Sequence, residues 1–308
     1  MESDAWVRTR PFLVSGLQGV RYGLWKTGPF ALVMLLVVGA TVAVGVNLST
    51  AYPSEQKPFG WPGAATFSNG VAMVRKELVL ATVLPALGAA LVGLRRLEPR
   101  RDALPFVGGV AAAGYASLGV GVMLAAGWGA WAASKSTWSA YWAFVAAHVL
   151  LAWAIYSLVF FLAVVARPYA TSVSLAVVGF YVAVYDNLLQ WRVFREAGFF
   201  RLQAGDFPPW FLAGQAGSPI AAYRGFLILD FPAFRDGLEN AVLKGATLPP
   251  WASAATFAAV LWSLWILLPM GLAASVWKVR ATWTIRPWWR RTAVPATSPG
   301  NDVAGGPL

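Results

Sequence analysis

The chain has 308 residues, of which 58% are hydrophobic and 12% charged, with a mean hydropathy of +0.59 and a formal net charge of +11. A soluble domain carries about 25% charged residues, so this composition excludes an ordinary water-soluble globular protein. Cysteine is absent, which excludes disulfides, thiol redox chemistry and thiolate metal sites in this chain.

Six long stretches of the chain contain no Asp, Glu, Lys or Arg. A helix needs about 20 mostly apolar residues to cross the hydrocarbon core of a bilayer. In lipid, all backbone groups must be hydrogen-bonded internally, which leaves α-helices and closed β-barrels. The stretches are continuously apolar rather than alternating, which excludes a barrel. The sequence therefore predicts an all-α polytopic membrane protein with six transmembrane helices (spans), at residues 29–48, 78–95, 104–128, 139–166, 169–190 and 252–277.

Residues 1–28 precede the first predicted span, and their charged part is too long for a secretory signal peptide. Residues 10–27 have apolar side chains at helical spacing, which predicts a short helix lying in the membrane interface. In such a helix Arg21 and Lys26 would face the lipid headgroups.

The basic residues indicate the orientation, because short loops that stay in the cytoplasm are enriched in Lys and Arg. An N-terminus on the inside places most of the basic residues in cytoplasmic segments and returns the C-terminus to the cytoplasm, in the cell (cytoplasmic) membrane. The predicted organisation is then a cytoplasmic N-terminus with the interfacial helix (1–28), spans one to five (29–190), an extracytoplasmic helical segment (191–251), a sixth span (252–278) and a basic, disordered cytoplasmic tail (279–308).

The link between the second and third spans is short and strongly basic, with Arg95, Arg96, Arg100 and Arg101. A high net charge is also typical of nucleic-acid-binding proteins. Here the basic residues flank the spans as membrane anchors do and form no binding module, so we expect no nucleic-acid partner.

Apart from tyrosines and Arg95 at the end of the second span, two ionisable residues fall inside predicted spans. His148 is the single histidine, and metal ligation needs several ligands, so we expect a packed helix-interface residue that makes one hydrogen bond rather than a metal or cofactor ligand. Asp186 lies near the outer end of the fifth span. Acids within a membrane are costly, so Asp186 either lines a pathway or pairs with a cation, or it marks the interface, where its carboxylate reaches headgroup water.

The predicted extracytoplasmic segment contains the run Gly217-Ser218-Pro219-Ile220-Ala221-Ala222-Tyr223-Arg224. Pro219 suits the first turn of a helix and Ser218 is a good N-cap. Tyr223 and Arg224 would then project from a short helix at the outer membrane face and anchor in the interface. Two roles are open for this element: it fixes how the segment folds back on the membrane, or it contacts substrate.

The chain has no P-loop and no H-E-x-x-H or G-x-S-x-G pattern. It therefore has no nucleotide site of the P-loop type, and ATP that powers it would be hydrolysed by another chain. No acid, base and nucleophile cluster in the sequence, so we do not expect an enzyme.

The layout resembles the ABC-2 type permease family, over residues 10 to 280. The likeness is sharpest in the run from Leu151-Ala152-Trp153 to Tyr185-Asp186-Asn187-Leu188-Leu189, which is similar to the fourth and fifth spans of the family. The Ser218–Arg224 element resembles the family's Asn-Pro-x-x-x-Tyr-Arg element. Within the family, the chain is most similar to permeases of transporters that support copper-enzyme (nitrous oxide reductase) maturation.

The resemblance implies a permease homodimer in the bilayer, driven by a cytoplasmic ATP-binding subunit, with an extracytoplasmic protein as a further partner. The candidate ATPase-docking residues are Arg21, Arg95, Arg96, Arg100 and Arg101. The alternative is a non-transporting integral membrane subunit that anchors or assembles a partner protein through residues 191–251.

Overall fold

The computed structural model describes residues 3–51, 74–97, 103–133, 138–185, 187–189, 191–192, 195–196, 209–230, 251 and 253–282. Within these ranges the chain is helical and contains no β-strand. The first four long helices are α1 (Ser3–Ala51), α2 (Arg75–Leu94), α3 (Leu104–Ala133) and α4 (Trp138–Val165).

The second half of the chain has shorter and less regular helices. The fifth span begins with α5 (Ala170–Phe180) and continues as a π-helical stretch (Tyr181–Tyr185). Two short helices follow, α6 (Pro209–Gln215) and α7 (Pro219–Asp230). The sixth span consists of α8 (Ala254–Val260), a second π-helical stretch (Leu261–Leu267) and α9 (Leu268–Thr282).

Six of the described segments are long and apolar enough to cross a bilayer: Pro11–Leu48, Lys76–Leu94, Leu104–Trp128, Tyr141–Val165, Ala170–Leu189 and Ala254–Ala281. This confirms the prediction of an all-α, multi-pass membrane protein. The predicted ends agree to within a few residues except at the start of the first span. The predicted tail beyond residue 282 and most of the predicted loop 49–77 lie outside the described residues.

The helix predicted over residues 10–27 is present, but it is not a separate element. Residues 3–51 form one continuous α-helix, which includes Pro11 and Pro29. The N-terminal part of this helix packs against the first turns of α3 at three glycines, Gly16, Gly19 and Gly23. This part of α1 therefore extends alongside the third span instead of bending away before the first one.

Glycines bring α1 and α3 into backbone contact, as small residues do between membrane helices. A Cβ atom on Gly19 would overlap the backbone of Phe106, and one on Gly121 would lie 2.7 Å from the carbonyl oxygen of Ala31. A Cβ atom on Gly23 would come within 2.9 Å of the Cα of Val110. The contacting positions rise together along both helices, so α1 and α3 run parallel.

The second, third and fourth spans form the core of the bundle. In the second and fourth spans 67% of the apolar window is buried, against 12% in the fifth. Leu78, Leu118, Leu151 and Ile155 are completely buried. The fifth span is therefore peripheral, and the few contacts that it makes with the bundle have a large influence on its position.

Two arginines join the ends of three helices. Arg167 donates to the carbonyl oxygen of Leu94 at the end of α2, at 3.5 Å. Arg280, near the end of α9, donates to the carbonyl oxygens of Val164 and Val165 at the end of α4, at 2.6 and 2.9 Å. The last carbonyls of a helix have no partner within the helix, and cations are favourable at that end.

These contacts place the ends of the second, fourth and sixth spans together. Thr27 of α1 lies against Gly93 of α2, so the N-terminal part of α1 is at the same level. We call this region the basic end of the bundle; its arginines include Arg95, Arg96, Arg167 and Arg280.

Two adjacent glycines of α3 allow the packing of α1 to be tested. A Cβ on Gly109 would lie 2.7 Å from the backbone nitrogen of Val20 and would overlap Gly16, whereas one on Gly108 has no neighbour within 4 Å among the described residues. Gly109→Ala should lower the free energy of unfolding by about 1–3 kcal/mol because the helices must separate.

The matched control is Gly108→Ala, which should be neutral or stabilising by up to about 1 kcal/mol through helix propensity. Thermal unfolding of the two variants in detergent micelles makes the comparison. Equal effects of the two substitutions would contradict the contact between α1 and α3.

Candidate functional site

The α7 helix begins where the sequence predicts it. Its first residue is Pro219, and the Ser218 hydroxyl accepts hydrogen bonds from the backbone N–H groups of Ile220 at 3.2 Å and Ala221 at 3.3 Å. Ser218 is completely buried. The predicted N-cap is therefore confirmed, and it fixes the direction in which α7 leaves the preceding turn.

Tyr223 does not anchor in the interface as predicted. Its side chain is 1% exposed, and its hydroxyl lies 2.9 Å from Nε2 of His148 in α4. The start of α7 at Pro219 turns Ile220, Tyr223 and Leu227 towards the bundle, where all three are buried. Arg224, the next residue of the predicted element, is partly buried.

His148 is a buried helix-interface residue, as predicted, but it makes two hydrogen bonds rather than one. Its Nδ1 lies 2.9 Å from the carbonyl oxygen of Phe144, and its Nε2 meets Tyr223. The Phe144 ring stacks on the imidazole with 3.9 Å between ring centroids. The structure therefore brings together two residues that the sequence assigns to separate elements, one in a span and one between spans.

The hydrogen-bond partners define which atoms carry protons. A backbone carbonyl can only accept, so Nδ1 of His148 donates to Phe144, and Nε2 of the neutral imidazole is left as an acceptor. Burial raises the pKa of Tyr223, so its hydroxyl stays protonated and donates to Nε2. Both polar atoms of the imidazole are satisfied, which is what a buried polar group requires.

The turn before α7 is held by the two π-helical stretches. The Tyr185 hydroxyl donates to the carbonyl oxygen of Gly214 at 2.8 Å, and the Trp265 indole N–H donates to that of Ala216 at 3.0 Å. The Tyr181 and Trp265 rings meet edge to face, 5.5 Å apart. The fifth and sixth spans therefore hold the same turn from two sides, at the points where each departs from regular α-helix.

This arrangement is a docking site for the α6–α7 segment (residues 209–230) on three spans. π-Helical stretches inside α-helices are frequent at functional sites. Sequence reasoning missed the roles of Tyr185 and Trp265, because a π-helical stretch has no reliable sequence pattern and aromatic residues are expected near span ends in any case.

The remaining candidate residues are distributed as follows. Arg95 and Arg96 are exposed at the basic end, and Arg21 is exposed on α1. Asp186, Arg100 and Arg101 lie outside the described residues. In the part of the chain that the structure describes, no group of three His, Asp or Glu side chains is close enough to hold a metal ion.

No protein-family model, no curated protein and no solved structure matches this chain.

The contact between Tyr223 and His148 can be tested by removing one hydroxyl. Tyr223→Phe leaves the Nε2 of His148 buried without a donor, so we expect the free energy of unfolding to fall by about 0.5–2 kcal/mol. Tyr156→Phe is the matched control, because Tyr156 is also fully buried in the bundle and its hydroxyl has no partner among the described residues. That substitution should be neutral or slightly stabilising.

A double-mutant cycle with His148→Leu isolates the pair. The coupling energy should be favourable and about 0.5–1.5 kcal/mol, measured by thermal or denaturant unfolding in micelles. Additive effects of the two substitutions would mean that the two side chains do not interact.

Proposed function

We propose that the chain is the membrane-spanning permease subunit of an ABC-2 type ABC transporter. It works as a homodimer in the cell membrane with both termini in the cytoplasm, and a separate cytoplasmic subunit hydrolyses ATP. The resemblance in the fourth and fifth spans and in the Ser218–Arg224 element extends the proposal to transporters that support copper-enzyme maturation. The six spans are consistent with this function.

The observation that carries the proposal is the buried contact between Tyr223 and His148. A transporter must pass movement from its ATPase side to its outer side. The α4 helix ends at the basic end, where Arg280 donates to the carbonyl oxygen of Val164, and it carries His148 further along. At about 1.5 Å per residue, His148 lies roughly 25 Å from that end.

One rigid helix therefore joins the candidate docking end to the α6–α7 segment, which we place on the extracytoplasmic side. Displacement of α4 at the basic end would move Tyr223 and, with it, the turn that Tyr185 and Trp265 hold. By linkage, the ATPase can shift this arrangement only as far as it binds one conformation better than another.

The proposal is tested by reconstituting the chain in nanodiscs with the P-loop ATPase encoded beside it. We expect the two proteins to copurify and the chain to change the ATP hydrolysis rate of its partner. Absence of association would refute the proposal. Association with no change in hydrolysis would favour the alternative, a membrane subunit that anchors or assembles its partner.

The docking surface gives a sharper test. Arg95 and Arg96 are exposed where α2 ends, so Arg95→Glu with Arg96→Glu should lower the amount of copurified ATPase by about tenfold, because reversed charges at a docking surface repel the partner. Lys76→Glu is the control, since Lys76 is exposed on the first turn of the same helix, at its other end. Equal losses in both variants would show that the basic end is not the docking surface.

A further inference from the structure

A groove of about 640 Å³ runs beside the N-terminal part of α1, and the residues that line it include Gln18, Arg21, Tyr22, Leu24 and Trp25. The groove is shallow and open along most of its length, and Trp25 in its lining is mostly exposed. Spacings of three and four residues place most of these side chains on one face of the helix. That face is turned away from Gly16, Gly19 and Gly23, which contact α3.

The groove carries positive charge that its own helix does not neutralise. Arg21 is exposed and makes no hydrogen bond or ion pair within the described residues. Lys26 lies beside the groove rather than in its lining, with its Nζ 5.9 Å from the centre of the ring of Tyr22, which does line it. Residues 5–54 contain no Asp or Glu, and neither does α3. The positive charge therefore favours an anionic ligand.

Apolar residues line or flank the groove, which lies at the level of the basic end of the bundle. Gly19 and Gly23, on either side of Arg21, meet Phe106 and Val110 near the start of α3, so the groove lies at the basic end. Leu17, Leu24 and Trp25 are 68%, 47% and 79% exposed. Apolar side chains next to cations, with a Trp at the level where spans begin, are typical of the boundary between headgroups and acyl chains.

Side-chain direction agrees with that placement. In a helix the Cα–Cβ bonds tilt towards the N-terminus, so the Arg21 and Lys26 side chains lean away from the middle of the bundle. Long basic side chains near span ends extend in this way to reach headgroups while their methylene groups stay on apolar surface.

We propose that this groove binds an anionic phospholipid. The Arg21 guanidinium and the Lys26 ammonium hold the phosphate and the negative headgroup, and Leu24 and Trp25 lie beside the first part of an acyl chain. The apolar walls favour a lipid over free phosphate. This site does not depend on the transporter function, and it assigns Arg21 to lipid binding rather than to ATPase docking.

The test uses the purified full chain in detergent, depleted of lipid. Phosphatidylglycerol should raise the thermal unfolding temperature in a saturable way and be retained in native mass spectra, whereas phosphatidylcholine should do neither. Arg21→Gln with Lys26→Gln should weaken binding of phosphatidylglycerol by about tenfold or more. Arg21→Lys keeps the charge and should retain most of the binding.

The matched control is Arg192→Gln with Arg195→Gln, which removes two exposed cations after the fifth span, at the opposite end of the bundle. It should leave phosphatidylglycerol binding unchanged. Equal binding by the Arg21 and Lys26 variant and by the unmodified chain would overturn the proposal, and so would equal stabilisation by phosphatidylcholine. Stabilisation by inorganic phosphate or glycerol phosphate to the same extent would also overturn it, since the ligand would then be a free anion.

Discussion

Most contacts between the helices of this bundle are apolar, and a small number of polar groups form hydrogen bonds from one element to another. An unpaired polar group in an apolar interior costs more than a typical hydrogen bond contributes. Several side chains avoid this cost for a polar group on another element by donating a hydrogen bond to it. Arg280 donates to the last carbonyl oxygens of α4, and Trp265 donates to the turn before α7. The Tyr223 hydroxyl donates to His148.

These contacts divide the molecule into two ends with different chemistry. At the basic end, arginines donate to the C-terminal carbonyl groups of helices, where positive charge is stabilising. At the other end of the described bundle, neutral aromatic donors hold a turn and a short helix. The α4 helix takes part in both regions, and so does the sixth span, which carries Trp265 and Arg280.

The fifth span lies at the edge of the bundle, and two of its contacts with other elements come from its π-helical stretch. Little of this span is buried, and its Tyr185 and Tyr181 make the contacts to Gly214 and Trp265. Tyr181, Tyr185 and Trp265 all lie within the two π-helical stretches. The π-helical stretches of the two spans therefore carry the aromatic side chains that hold the turn before α7.

The sequence alone determined the class of protein, the number and approximate bounds of the spans, and the start of α7, because each follows from a local property. The length of an uncharged stretch determines whether it can cross the bilayer, and the Ser218-Pro219 pair determines where α7 begins. Only the tertiary structure decided that α1 is continuous, that Tyr223 is buried on His148 and that Arg280 joins α9 to α4. These depend on which helix faces meet, and in an almost uniformly apolar sequence no periodic pattern marks those faces.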